Sequence, residues 1–182
     1  MSRLNKTELR KKAISFRKKL SKKEKAEKDY SVFEKVIALE QYKNADTVLL
    51  YASTEYEVDT VMLTKYSFEN GKKVAFPICF DKIGNMSFKF VMSTNELKKG
   101  MYGILEPPST NETFVKSKNA ICIVPSLLVD KKGYRLGYGK GYYDRFLKEF
   151  NGFKCVLCYK EGIVDFLPKD MFDIKCDVLI TD

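Results

Sequence analysis

The chain has 182 residues, 45% hydrophobic and 13% aromatic, which suits one domain (1–182) with a full core and excludes a disordered or collagen-like polypeptide. Its net charge of +9 lies entirely in residues 1–25, where eleven Lys and Arg face only Glu8 and Glu24. There is no histidine, which removes Ser–His and Cys–His nucleophiles, histidine metal sites and histidine acid–base chemistry together.

No apolar run approaches the ~18 residues that span a bilayer, and the charged start MSRLNKTELRKK lacks the apolar stretch of a secretory signal. A cytoplasmic protein that engages no membrane is expected, and a monomer. Five cysteines (Cys79, Cys122, Cys155, Cys158, Cys176) are an odd number set mostly in apolar runs, so reduced, buried thiols are expected. Cys155 and Cys158 match C-x-x-C, but zinc would need two further ligands, and two core cysteines on a buried strand is the reading.

In chain order, Asn5-Lys-Thr-Glu8 and Ser21-Lys-Lys-Glu24 read as capping boxes. Leu9, Ala13, Phe16 and Leu20 then form one amphipathic stripe, and Ala26, Tyr30, Phe33 and Ile37 another, predicting helices over 6–20 and 22–40. The basic patch on these helices attracts polyanions; alone it would suggest a nucleic-acid-binding module, or simply a solvated helical face. A buried strand follows at Thr47–Tyr51, then a helix over Val58–Asn70 closed by Gly71, and a strand at Lys73–Phe76 stopped by Pro77. Met86–Met92 alternates as a half-exposed strand, and 93–119 reads as irregular. Ala120–Pro125 is the strongest central-strand candidate, with the glycine-rich run after it. Gly141–Phe150 reads as a helix, and Phe153–Tyr159 and Val178–Thr181 as strands. Apolar strands separated by helices predict an α/β fold with a mostly parallel sheet covered on both faces.

Four of the ten glycines fall within Gly133–Gly141, between an apolar strand and a helix. Closely spaced glycines let backbone N–H groups converge on an anion, and the helix adds its positive end. Arg135 and Lys140 would add charge. The spacing Gly137-x-Gly139-x-Gly141 is not the dinucleotide fingerprint, and Gly139-Lys140-Gly141 is not a Walker A loop. An anion-binding turn and a turn that merely reverses the chain both remain open on these residues.

The run Val124-Pro-Ser-Leu-Leu-Val-Asp130, followed by Gly133-Tyr-Arg-Leu-Gly-Tyr-Gly-Lys-Gly-Tyr-Tyr-Asp-Arg145, resembles the signature of the 5-formyltetrahydrofolate cyclo-ligase family, also called methenyltetrahydrofolate synthetases. The resemblance extends to Lys6-x-x-x-Arg10, to Tyr51…Glu57-x-Asp59-Thr60 and to Leu167-Pro168…Asp173-Ile174, and is least distinct over 80–119. It implies a three-layer α/β/α fold of the kind shared with sugar-phosphate isomerases and CoA transferases (NagB/RpiA/CoA transferase-like), behind two N-terminal helices. It also implies a reaction: 5-formyltetrahydrofolate becomes 5,10-methenyltetrahydrofolate, with ATP as co-substrate and Mg²⁺ as cofactor. Another phosphate-handling enzyme of the same fold is the alternative within this class.

By the same resemblance, ATP would be held by Lys6, Arg10 and the stretch Arg135, Leu136, Gly137, Tyr138, Gly139, Lys140, Gly141, Tyr142 and Tyr143. Arg135 and Lys140 would stabilise charge during transfer, although relatives place glycine where this chain has Lys140. Asp144 and Asp173 would hold Mg²⁺; the family often has His before the second, where Phe172 stands here. Glu57, Tyr102 and Tyr142 would bind the folate, Tyr102 lying where some relatives have Trp. The partners implied are ATP and 5-formyltetrahydrofolate, with or without a polyglutamate tail, and no nucleic acid.

Overall fold

The computed structural model describes residues 5–182. Helix α1 (Lys6–Arg17) and helix α2 (Lys22–Ala38) each begin with the predicted capping box. Asn5 and Ser21 accept from the N–H of Glu8 and Glu24, and each glutamate accepts from the N–H of its cap residue. Caps of this kind contribute about 1 kcal/mol each. Both helices stop short of the predicted ends. Leu39 is extended, and a separate short helix, α3 (Glu40–Asn44), follows.

Strand β1 (Thr47–Leu49) leads to helix α4 (Val61–Glu69), which starts three residues later than the periodicity predicts. Residues before it anchor the preceding loop instead. Asp59 N–H donates to Asp29, Thr60 Oγ1 donates to the Tyr51 carbonyl, and the Asp59 carboxylate accepts from Val61 N–H. Strand β2 (Lys73–Cys79) runs through Pro77 rather than stopping there. The Ala75 carbonyl accepts from Leu50, so alternate residues 75 and 77 face β1. β1 has ended by then, and the missing N–H of Pro77 meets a vacated edge.

Strand β3 (Met86–Val91) returns antiparallel to β2. The stretch read as irregular carries a small hairpin, β4 (Lys98–Lys99) with β5 (Leu105–Glu106). β6 (Ala120–Pro125) is the predicted central strand, but it does not feed the glycine run directly. Strands β7 (Leu128–Asp130) and β8 (Arg135–Leu136) intervene as a tight hairpin. Asp130 makes that turn, its carboxylate accepting from the N–H of Lys132 and Tyr134. Helix α5 (Tyr142–Glu149), strand β9 (Phe153–Leu157), the two-residue strand β10 (Ile163–Val164) and strand β11 (Val178–Ile180) complete the chain.

The main sheet has the order β11-β9-β6-β1-β2-β3, parallel except for β3. Its strands bury both faces, as their continuous apolar runs require. Val48, Val74, Phe76, Ile121, Ile123, Cys155 and Leu157 face one side with Val32 and Val36 of α2 and Leu63 of α4. Leu49, Ala75, Cys122, Val124 and Val156 face the other with Leu147 of α5. The expected three layers are therefore present. A second sheet, β10-β7-β8, packs against α1 through Ala13, Leu127, Leu128, Leu136 and Leu167. Leu9, Ala13 and Leu20 of the predicted stripe pack against the apolar clusters, but the buried residues of α1 are Ala13 and Arg17, so the buried face also takes in a charged side chain that the apolar stripe did not include. No helix of the described residues is long and apolar enough to cross a membrane.

Candidate active site

The parallel strands β1, β2, β6 and β9 point their carboxyl ends at one edge, where the 51–60 loop, the 80–85 turn and the glycine run gather. In open α/β sheets this edge is where ligands collect. Gly139 and Gly141 have φ of +96° and +73°, conformations an L side chain rarely adopts. Gly141 is the N-cap of α5 and has no side-chain cap, leaving the first-turn N–H groups of the helix available.

Charged side chains from three other segments close on this turn. Arg135 is almost fully buried, and its Nη1 lies 2.8 Å from Asp144 Oδ1, which also accepts from Ile174 N–H at 3.2 Å. Lys6 Nζ reaches Asp173 Oδ2 at 2.8 Å and Asp170 Oδ2 at 3.1 Å. Partial burial pulls the Lys6 pKa down, but its hydrogen bonds to Asp173 and Asp170 outweigh that and raise it overall. Arg10 Nε donates to the Gly137 carbonyl at 2.8 Å, and the Arg10 guanidinium sits where a Cβ on Gly139 would project. Lys6, Arg10, Arg135, Gly137, Gly139, Gly141, Asp144 and Asp173 are thus brought together by the fold.

Their pairing has a further feature. Each candidate metal carboxylate is matched to a candidate phosphate cation: Asp144 to Arg135, and Asp173 to Lys6. One oxygen of each carboxylate, Asp144 Oδ2 and Asp173 Oδ1, has no partner among the described residues. The described residues contain no group of three or more Cys, Asp or Glu that would hold a metal unaided. Two carboxylates completed by phosphate oxygens and water is the usual Mg²⁺ arrangement, so this donor set fits that ion.

The candidate folate residues lie beside the turn. Glu57 is buried, and its Oε2 accepts from both N–H and Oγ1 of Thr54 at 2.8 Å. Tyr138 of the glycine run reaches toward it: burial raises the Tyr138 pKa, the Glu57 charge raises it further, and a hydrogen bond to Thr54 opposes them. Tyr102 is the single non-glycine described residue with positive φ, at +60°. Its hydroxyl lies 3.3 Å from that of Tyr142, and Lys140 Nζ sits 5.8 Å from its ring. The Tyr142 hydroxyl also donates to the Asp81 carbonyl, tying α5 to the β2–β3 turn.

Three candidates do not present a side chain to the turn as a paired contact. The Leu136 side chain is in the core beside Ala13 and Leu127, leaving only its backbone to face the turn. The Tyr143 ring packs between the two main apolar clusters, with a buried hydroxyl that has no partner among the described residues. Lys140 is exposed and pairs with no carboxylate among the described residues. Sequence reasoning missed Asp170, the second partner of Lys6, and Arg17, which it left within the solvated basic face. Its signal was spacing: Lys6, Arg10, Ala13 and Arg17 recur at i, i+4, i+7 and i+11 and share one face.

A doubly covered, mostly parallel α/β sheet with an anion-suited glycine turn and paired charges at its carboxyl edge defines the class as an α/β enzyme fold. The model of the 5-formyltetrahydrofolate cyclo-ligase family matches residues 3–182. The chain is 31% identical to the mouse 5-formyltetrahydrofolate cyclo-ligase, over 88% of this chain and 85% of the mouse protein. It is 30% identical to the probable cyclo-ligase of Schizosaccharomyces pombe, over 83% and 82% of the two chains. The NMR structure of Aquifex aeolicus 5,10-methenyltetrahydrofolate synthetase superposes with a TM-score of 0.84 at 35% identity, covering 97% of this chain and 89% of that one. The synthetase of Mycoplasma pneumoniae gives 0.78 at 25% identity, with 97% and 98% covered. The chain belongs to the 5-formyltetrahydrofolate cyclo-ligase family and is a ring-closing ligase of folate one-carbon metabolism.

Proposed function

We propose that the protein converts 5-formyltetrahydrofolate and ATP into 5,10-methenyltetrahydrofolate, ADP and phosphate, with Mg²⁺. The observation that carries this reading is the meeting of two paired cation–carboxylate sets on the glycine turn, with the buried Glu57 carboxylate beside it. In the proposed chemistry the formyl oxygen attacks the γ-phosphorus and ADP leaves. N10 then attacks the activated carbon, loses its proton, and phosphate departs with the original formyl oxygen. No covalent enzyme nucleophile is required, which agrees with a chain that has no histidine.

The residues have to position and neutralise. Arg135, Lys6, Arg10 and the turn's N–H groups face the phosphates, with Lys140 reinforcing them from the surface. Asp144 and Asp173 would hold Mg²⁺, which would supply charge neutralisation to the bound phosphates. Arg135 and Lys6 are held beside Asp144 and Asp173 by these pairs, so the cations that would face the phosphates and the carboxylates that would hold the metal are set side by side. The Glu57 oxygen left uncapped by Thr54 suits paired N–H donors such as those of a pterin. Tyr102 and Tyr142 flank that region and offer aromatic faces.

The direct test mixes protein, ATP, Mg²⁺ and 5-formyltetrahydrofolate and follows the near-ultraviolet absorbance of the methenyl product. Absorbance that grows without ATP, or fails to grow with folded protein, refutes the reading.

A further inference from the structure

Arg17 is 5% exposed, yet no carboxylate among the described residues pairs with it. A buried guanidinium is costly unless its N–H groups are satisfied. Here backbone carbonyls do this. Nη1 donates to Tyr56 at 2.8 Å, while Nη2 donates to Ser126 at 2.7 Å and Leu127 at 3.0 Å. The guanidinium carbon lies 5.3 Å from the centre of the Tyr159 ring, which adds a cation–π contact. One side chain from α1 therefore ties the turn before Glu57 to the segment that leaves the central strand β6.

The same turn is held from a second direction. The Tyr159 hydroxyl donates to Asp29 Oδ1 at 2.7 Å and lies 3.3 Å from the Glu57 carbonyl. Asp29 of α2 also accepts from Asp59 N–H at 3.0 Å, and Lys25 pairs with its other oxygen at 2.7 Å. Within the turn, Glu57 N–H donates to the Thr54 carbonyl at 3.1 Å. The backbone on both sides of Glu57 is thus fixed by α1, α2 and the segment after β9, while its Oε1 has no partner among the described residues.

We infer that Arg17 is a positioning residue for the folate half of the reaction, clamping the Tyr56–Glu57 turn so that the free Glu57 oxygen meets the substrate at a fixed place. This rests on the assignment of Glu57 to folate made above. A carbonyl clamp of this kind needs the planar fork of arginine. Lysine keeps the charge but not the simultaneous reach to three carbonyls on two segments.

The experiment is a cycle of Arg17→Lys, Glu57→Gln and the double variant, with KM measured separately for ATP and for 5-formyltetrahydrofolate. Arg17→Lys is expected to raise the folate KM about tenfold, a loss on the scale of one well-placed hydrogen bond, with the ATP KM within about twofold of wild type. In the Glu57→Gln background the same substitution should change the folate KM by less than about twofold. A parallel rise in both constants, or full additivity in the double variant, overturns the positioning role in favour of a merely structural one. An unchanged folate KM in Glu57→Gln overturns the folate assignment itself. A changed one there, with none in Arg17→Lys, overturns the inference alone. If Arg17→Lys does not fold, Tyr159→Phe loosens the same turn more gently and is expected to shift the folate constant in the same selective way; no shift, or equal shifts in both constants, counts against the clamp.

Discussion

Replacing Gly139 by alanine tests whether the glycine turn and α1 form one unit. The backbone at Gly139 has φ of +96°, and a Cβ there would lie 2.9 Å from both Cζ and Nη2 of Arg10 and 3.3 Å from its Nε. Adopting a left-handed conformation costs an L residue about 1–2 kcal/mol. Arg10 could swing away, but only by giving up its 2.8 Å bond to the Gly137 carbonyl, a further loss of about 0.5–1.5 kcal/mol. Together the expected destabilisation is about 2–3 kcal/mol, or a fall in Tm of about 5–10 °C for a chain of this size. Gly137, two residues away, is the internal control. It has no positive φ, and nothing lies within 4 Å of its notional Cβ. Gly137→Ala should therefore change the stability of the free protein by less than about 0.5 kcal/mol. Urea and thermal unfolding of both variants, followed by the ATP KM of each, make the assay. Equal stabilities for the two alanine variants would show that neither the positive φ of Gly139 nor its contact with Arg10 constrains that position.

Asp144→Asn leaves the nearly buried Arg135 without its anionic partner and should cost about 1–3 kcal/mol while abolishing turnover, measured by urea midpoint and the absorbance assay. Full activity at saturating Mg²⁺ would exclude Asp144 from metal binding. Lys6→Met tests the link between α1 and the 170–173 segment through pH. Lys6 hydrogen-bonding lowers the Asp170 pKa, so its contribution is present above the unfolded value of 3.8 and lost as pH falls through the lower folded value. The Lys6 pKa is raised, so its contribution is complete below 10.5 and lost as pH climbs past the folded value. Wild-type stability should exceed that of the variant between those limits and converge with it in strong acid; a constant gap at every pH contradicts the pairing. A thiol-reactive disulfide reagent at neutral pH should label Cys79 slowly and the other four cysteines hardly at all before denaturation. Burial pushes Cys79 up to about 11, with the Glu106 charge assisting there; burial likewise pushes Cys176 up to about 11 and raises Cys122, Cys155 and Cys158. Rapid labelling of any thiol in the folded protein, or labelling of more than one before denaturation, would contradict that burial.

Local chemistry was written plainly along the chain. The capping boxes at Asn5 and Ser21 predicted two helix starts because they need only residues three apart. The apolar runs at Thr47, Ala120 and Phe153 predicted the central strands, since a strand buried on both faces has no polar side to show. The glycine spacing predicted either an anion-binding turn or one that merely reverses the chain, and did not foresee that the Arg10 guanidinium would lie against Gly139. The β7–β8 hairpin and α3 escaped because each is too short to establish a period. Pro77 misled because its tolerance depends on where a neighbouring strand ends, not on its own segment.

What tertiary structure alone decided is the partnership of charges. Lys6, Arg10 and Arg17 stand among eleven similar residues within the first 25 positions. Nothing local says that the first meets Asp170 and Asp173, the second a glycine carbonyl, and the third three carbonyls in the interior. A helix face sets which side chains share a direction, but what they meet depends on segments distant in the chain, 39 positions away for Tyr56 and more than a hundred for the other partners. Local pattern and motif along the sequence were enough for the capped helices, the central strands, the layers and the family, but not for α3 or the β7–β8 hairpin. Packing decided which of its many cations are solvent-facing and which hold the site together, because burial and pairing are properties of the folded surroundings.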